Sequence, residues 1–89
     1  MKEKAFFDVK SVKVYNIDEY ALQVQFYDGT EKICYLKNNI QKGYFPVFKA
    51  LIDKELFAKV GVVDGIVTWD NGADINPLSM YNGLFDNNI

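Results

Sequence analysis

The sequence predicts a mixed α+β domain: a three-stranded antiparallel meander, short helices, then a second β-hairpin and a short C-terminal helix, packed as two layers. Three observations predict it. Apolar and polar residues alternate over Ser11–Val14 and Leu22–Tyr27 with the period of strands that have one wet face. The turn pairs Asp28-Gly29 and Asp64-Gly65 each sit between two such runs. Helix-opening signals at Pro46, Asp53 and Asn76-Pro77 precede stretches too short for long helices. The chain has 89 residues, 49% of them apolar, which suits one domain with one core. A domain of this size buries roughly 60–65% of its unfolded surface. There is no internal repeat, linker or low-complexity segment, so residues 1–83 read as a single domain and 84–89 as a tail that either packs or frays.

The first strand is expected over about Phe7–Tyr15, where Val12 and Val14 alternate with Ser11 and Lys13. Asn16-Ile17-Asp18-Glu19 is a turn. Leu22, Val24 and Phe26 then alternate with Gln23, Gln25 and Tyr27, Asp28-Gly29 supplies positive φ, and Lys32–Lys37 returns as the hairpin partner. In the middle, Asn38 is expected to cap a short turn that Gly43 ends in left-handed geometry. Pro46 suits the first position of a helix over Pro46–Leu51. Asp53 caps another over Lys54–Ala58, with Glu55 in its first turn complementing the helix dipole. Val60, Val62 and Val63 restart strand character, and Asp64-Gly65 turns the chain into Ile66–Trp69. Asn71-Gly72 breaks that strand. Asn76 and Pro77 then open a helix over Pro77–Tyr81 that Asn82-Gly83 can stop.

The residues that are absent limit the chemistry. The chain has no His, its ten basic residues are all Lys, and Cys34 is its one cysteine. Without imidazole, neither a Cys–His nor a Ser–His–Asp arrangement can form within it. Neither Ser11 nor Ser79 has a Lys three residues on, no Tyr has a Lys four residues on, and no Gly-rich phosphate loop occurs. An enzyme would need a carboxylate pair or a lone Lys, so no catalytic residue and no cofactor is expected. Zinc would have only Cys34 and carboxylates to bind. The run Asp70–Asn76 fails as a calcium loop, because its third position is Gly72 and its twelfth is Tyr81. Turn and capping roles explain those side chains, and no metal is expected. Cys34, beside Ile33, Tyr35 and Leu36, reads as a small buried hydrophobe rather than a reactive thiol, since no adjacent cation lowers its pKa.

A net charge of −2 argues against nucleic acid as the main ligand; the one basic cluster is Lys2, Lys4, Lys10 and Lys13. Asp8 and Lys10 interrupt the N-terminus before any signal-like apolar stretch, and no run approaches the ~20 apolar residues of a membrane helix. A lone Cys gives no sign of an oxidising compartment, so the expected location is the cytoplasm, with no membrane association. Fourteen aromatic residues are many for so short a chain. Tyr35, Tyr44, Phe45, Phe48, Phe57, Trp69 and Tyr81 serve chiefly to fill a thin core. The surplus points to a protein partner or self-association.

The stretch Ile66–Tyr81, with Trp69-Asp70-Asn71-Gly72-Ala73-Asp74 at its centre, resembles the C-terminal signature of a small bacterial family. That family is domain of unknown function 2442, also described as like the N-terminal domain of a Nitrosomonas protein. Its pattern is approximately W-P-N-G-A-D-[LI]-x-P-x-x-L-Y. Upstream, Phe26–Glu31 resembles its hairpin, and Tyr35-Leu36, Gly43, Phe45, Leu51-Ile52-Asp53, Phe57 and Val60 follow its middle segment. The resemblance spans about Val9 to Tyr81. Asp70 replaces the usual Pro, loosening the turn and adding a charge, and Met80 replaces the usual Leu.

The resemblance implies a compact α+β domain with no established activity, often in two-gene units of toxin–antitoxin type. The expected function is therefore a non-enzymatic protein-interaction or accessory and regulatory module. The alternative is a small-molecule sensor with a pocket near Trp69, Asn71, Asp74 and Tyr81. The signature residues Trp69, Asn71, Gly72, Asp74, Pro77 and Tyr81 are the candidate site. They also have structural readings: Trp69 pins the last strand, Asn71-Gly72 accepts positive φ, Asp74 holds neighbouring amides and Pro77 starts the helix.

Overall fold

Alternation along β2 (Ala21–Phe26) puts Leu22, Val24 and Phe26 on one face, and all three are fully buried, while Gln23 and Gln25 face the other way. The computed structural model describes residues 4–43 and 46–86. The expectations for Lys2, Tyr44, Phe45 and residues 87–89 lie outside the described residues. Strand β2 is the centre of an antiparallel sheet, flanked by β1 (Val9–Asn16) and β3 (Glu31–Tyr35). Val12 opposes Val24 and Leu22 opposes Cys34 on its inner face. β1 starts later than alternation suggests, because Phe7 and Asp8 sit in a turn closed from Asp8 N to Ala5 O at 3.0 Å. At its far end the Asn16 carboxamide accepts from the amides of Asp18 and Glu19, so the strand runs into the residue that organises the turn.

The middle departs from expectation in detail. Helix α1 (Lys37–Gln41) has Leu36 at its N-cap with no side-chain cap, and Asn38 lies inside the helix. The chain enters it straight from β3: Leu36 N donates to Tyr20 O, and Leu36 O already accepts from Ile40 N. No turn is left for Asn38 to cap. Gly43 is not left-handed either. It gives room instead, since a Cβ there would sit 3.3 Å from both Ile40 O and Lys49 Cγ. The single helix expected over Pro46–Leu51 is split into α2 (Pro46–Lys49) and a 3-10 turn (Ala50–Ile52). Asp53 caps α3 (Lys54–Phe57) as expected, its carboxylate accepting from Glu55 N and Leu56 N.

The second hairpin, β4 (Gly61–Val63) with β5 (Ile66–Thr68), turns through Asp64 (φ 51°) and Gly65 (φ 79°), the double left-handed pair of a type I′ turn. Gly65 also meets the first sheet: its carbonyl accepts from Val9 N at 2.9 Å, and a Cβ on it would lie 2.7 Å from Asp8 Cβ. A third strand, β6 (Asp74–Ile75), extends this hairpin to a sheet of order β4-β5-β6. Asn76 caps α4 (Pro77–Tyr81), accepting from Leu78 N at 2.9 Å, with Pro77 in its first turn. Of the two fates open to the tail, residues 84–86 pack: Phe85 is buried and its carbonyl accepts from Tyr35 N at 2.8 Å. One hydrophobic cluster joins both sheets and the helices, from Val9, Leu22 and Phe26 through Leu36, Leu51 and Phe57 to Trp69, Met80 and Phe85. Among the described residues, no helix is long and apolar enough to cross a membrane.

Candidate functional site

Trp69 follows β5 directly and lies inside the core, 3% exposed. Its indole N–H donates to Phe57 O at 2.9 Å, and its ring lies 5.8 Å from that of Phe57 and 6.4 Å from that of Phe48. The next residues close a tight turn, with Gly72 N donating to Trp69 O and Trp69 N to Ala73 O. Gly72 has φ of 93° and open space where a Cβ would go, so backbone conformation alone selects glycine there. Asn71, beside it, uses both ends of its carboxamide. Nδ2 donates to Val47 O at 2.7 Å, tying the turn to α2, and Oδ1 accepts from Ala73 N at 3.1 Å.

The amide-holding role expected of Asp74 therefore belongs to Asn71. Asp74 is exposed, and no hydrogen bond to its carboxylate is found among the described residues. Pro77 is buried at the start of α4. Tyr81 lies elsewhere, against Phe26 (5.1 Å) and Phe6 (5.2 Å), with its hydroxyl donating to Asp28 Oδ2 at 2.6 Å. That hydroxyl, and then the Thr30 amide, hold the Asp28 carboxyl below its usual range, and the same bond raises Tyr81.

A cleft of about 690 Å³ opens between the α1–α2 region and β6. Gly72 and Asp74 line it, whereas Trp69, Asn71, Pro77 and Tyr81 do not. The structure thus separates residues that the sequence places in one motif. Ala73, Ile75, Phe48 and Phe85 give the cleft an apolar lining, and Asn38, Asn39, Asn76 and Ser79 add polar groups. Val47 and Leu84 belong to its walls while 42% and 69% exposed. The titratable side chains among these lining residues are Lys42 and Asp74, both exposed. Sequence spacing offers no signal for this grouping, because it draws on separate stretches at positions 38–43, 47–48, 72–79 and 84–85.

The wall made by β6 has a further property. Trp69 N bonds to Ala73 O, and Thr68 faces Asp74 in the register. In an antiparallel ladder this makes Asp74 a non-hydrogen-bonded partner, so its main-chain N–H and C=O point away from β5. Among the described residues no fourth strand covers that edge in the sheet order β4-β5-β6.

Elsewhere, Cys34 is fully buried, and burial is the main cause that pushes its thiol up to about 12, aided by Asp86 and opposed by Lys32. Among the described residues no group of three or more His, Cys, Asp or Glu side chains is placed to hold a metal ion. Of the expected aromatic stripe, Phe57 and Trp69 are buried, and Tyr35, Phe48 and Tyr81 half-buried.

Fold and cleft together define a small mixed α+β domain built on two three-stranded antiparallel sheets. The chain belongs to the family described as protein of unknown function (DUF2442), which it matches over residues 11–86. The match includes the segment carrying Phe85. No curated protein matches the chain, and no solved structure matches it.

Proposed function

We propose that this domain is a non-enzymatic, cytoplasmic interaction module that receives an extended segment of a protein partner in the cleft beside β6. One observation carries the reading: Asp74, whose main-chain N–H and C=O point away from β5, lines a cleft with Val47 and Leu84 exposed at its walls. An added strand would satisfy that edge through its main chain and place alternate side chains against Ile75, Phe48 and Leu84. The exposed lysine and aspartate give the cleft charges of both signs for register. A regulatory partner encoded by the adjacent gene, as the family resemblance implies, is the first to test.

The experiment is titration of the purified domain with that gene product by calorimetry. Saturable binding is expected, weakened about tenfold or more by Val47→Glu or Leu84→Glu, as for residues at the centre of an interface. Val63→Ser, at the exposed tip of the second hairpin, should leave affinity unchanged. Equal affinity in all variants would refute the cleft as the docking site.

The cleft volume also lies within the ~300–1,000 Å³ of small-ligand pockets, which favours the sensor as second reading. Trp69 does not line the cleft, so quenching of its fluorescence is a poor probe. Amide shifts of Gly72–Asn76 on adding a metabolite set would detect such a ligand, and unmoved amides would remove this reading.

A further inference from the structure

Two Asn-Gly pairs occur in the chain, Asn71-Gly72 and Asn82-Gly83. Glycine has no side chain to hinder attack of its own main-chain nitrogen on the preceding carboxamide, so both pairs are chemically vulnerable. The fold treats them differently. The carboxamide of Asn71 is tied at both ends, to Val47 O and to Ala73 N, and Gly72, though exposed, has its N–H donating to Trp69 O at 3.1 Å. Asn82 is exposed at the C-cap of α4, and its carboxamide makes no hydrogen bond among the described residues. Gly83 N donates to Met80 O at 3.2 Å, much as Gly72 N does to Trp69 O, so the difference between the pairs lies in the free carboxamide of Asn82 and its place at the end of a five-residue helix. Helix ends are where local opening costs least.

We infer that Asn82 is a site of spontaneous covalent modification in the native protein, and that Asn71 is protected by its hydrogen bonds. Gly83 N attacks Asn82 Cγ, forming a C–N bond and a five-membered succinimide. The Nδ2 group departs as ammonia, carrying the proton that the attacking nitrogen loses. Water then adds to one of the two ring carbonyls and opens the ring, leaving either an aspartyl or an isoaspartyl residue. One water is consumed, one ammonia is released, and nothing is oxidised or reduced.

Either product places a carboxylate at the C-terminus of α4, where the helix carbonyls disfavour negative charge. It also lies near Asp86, whose Oδ2 is 3.0 Å from where a Cβ on Gly83 would be. The isoaspartyl form adds a methylene to the main chain just before Gly83, whose φ is 93°. That lengthening disrupts the bonds that follow, Leu84 N to Ser79 O at 3.1 Å and Tyr35 N to Phe85 O at 2.8 Å. Leu84 and Phe85 belong to a wall of the cleft, so slow chemistry at Asn82 loosens that wall.

The test is incubation of the native protein at mildly alkaline pH, with peptide mapping by mass spectrometry and enzymatic methyl labelling of isoaspartate. The chain in denaturant is the reference, where both pairs should convert. In the native protein Asn82 should convert at least about tenfold faster than Asn71. Asn82→Gln should remove the early ammonia release and methyl labelling. Hydrogen exchange at the Leu84 and Tyr35 amides should speed up in step with conversion. Native conversion of Asn71 as fast as Asn82 would overturn the inference, as would an Asn82 that stays intact while the denatured chain converts. Unchanged exchange at Leu84 and Tyr35 in converted protein would overturn the link to the cleft.

Discussion

Replacing Trp69 by alanine tests how the β6 wall is held. The ring is 3% exposed, packs on Phe57 and Phe48, and satisfies Phe57 O through its indole N–H. Truncating such a ring costs about 3–5 kcal/mol. Within that figure, loss of the indole bond accounts for about 0.5–1.5 kcal/mol, because Phe57 O keeps a second, longer bond from Val60 N at 3.3 Å. An 89-residue domain at ~0.05–0.15 kcal/mol per residue has only about 4–13 kcal/mol in total. Trp69→Ala should therefore lower Tm by at least about 12 °C, taking ~4 °C per kcal/mol for this size. Trp69→Phe keeps a ring against Phe57 but loses the indole donor, and with Phe57 O still bonded to Val60 N should cost about 0.5–1.5 kcal/mol. Urea unfolding followed by far-UV circular dichroism measures both, since neither variant retains a tryptophan to report by fluorescence. A loss below about 1 kcal/mol for Trp69→Ala would refute the reasoning, because a buried anchor ring cannot be removed so cheaply.

Three further outcomes are expected. Gly72→Val should destabilise by about 1–3 kcal/mol through strain at φ 93°, read by the same urea titration, and a change near zero would mean that the turn relaxes freely. The Tyr81–Asp28 bond lowers Asp28 and raises Tyr81, so its contribution is lost as pH falls through the folded carboxyl pKa or rises through the folded phenol pKa. It is fully present between the unfolded values of about 4 and 10, and Tyr81→Phe should remove most of both dependences in Tm measured against pH. Cys34, buried and pushed up to about 12, should react with iodoacetamide only as fast as the domain opens; rapid alkylation of the native protein would contradict its burial.

Much of the fold was legible wherever one residue type carries one local physical demand. Asp64-Gly65 reads as a turn because both residues must be left-handed, and Asn76-Pro77 and Asp53 read as helix starts because orphan amides need acceptors. Strand β6 was not legible. Two residues show no alternation, and Asp74–Ile75 is a strand because β5 lies beside it. Asn38 and Gly43 were misread for a related reason. The chain passes from β3 into α1 without a free turn, and what Gly43 meets is Lys49, six positions on. The candidate site was half legible. The motif Trp69–Tyr81 was visible, but its members divide among the core, the cleft and the opposite Tyr81–Phe6–Phe26 cluster. That division depends on which way each side chain leaves a short strand or helix, and on α1 and α2, which share no pattern with the motif.

Docking of a partner in the cleft beside β6 is the central property proposed for this domain. Amide NMR of the isotope-labelled domain, titrated with the adjacent gene product, tests this most directly. The largest shifts should fall on Gly72–Asn76, Asn38–Lys42 and Leu84, with slowed exchange of the Asp74 amide as its free edge acquires a strand. Shifts confined to Ser11, Lys13, Gln23 and Gln25 on the outer face of the first sheet, with the Asp74 amide unmoved, would contradict it.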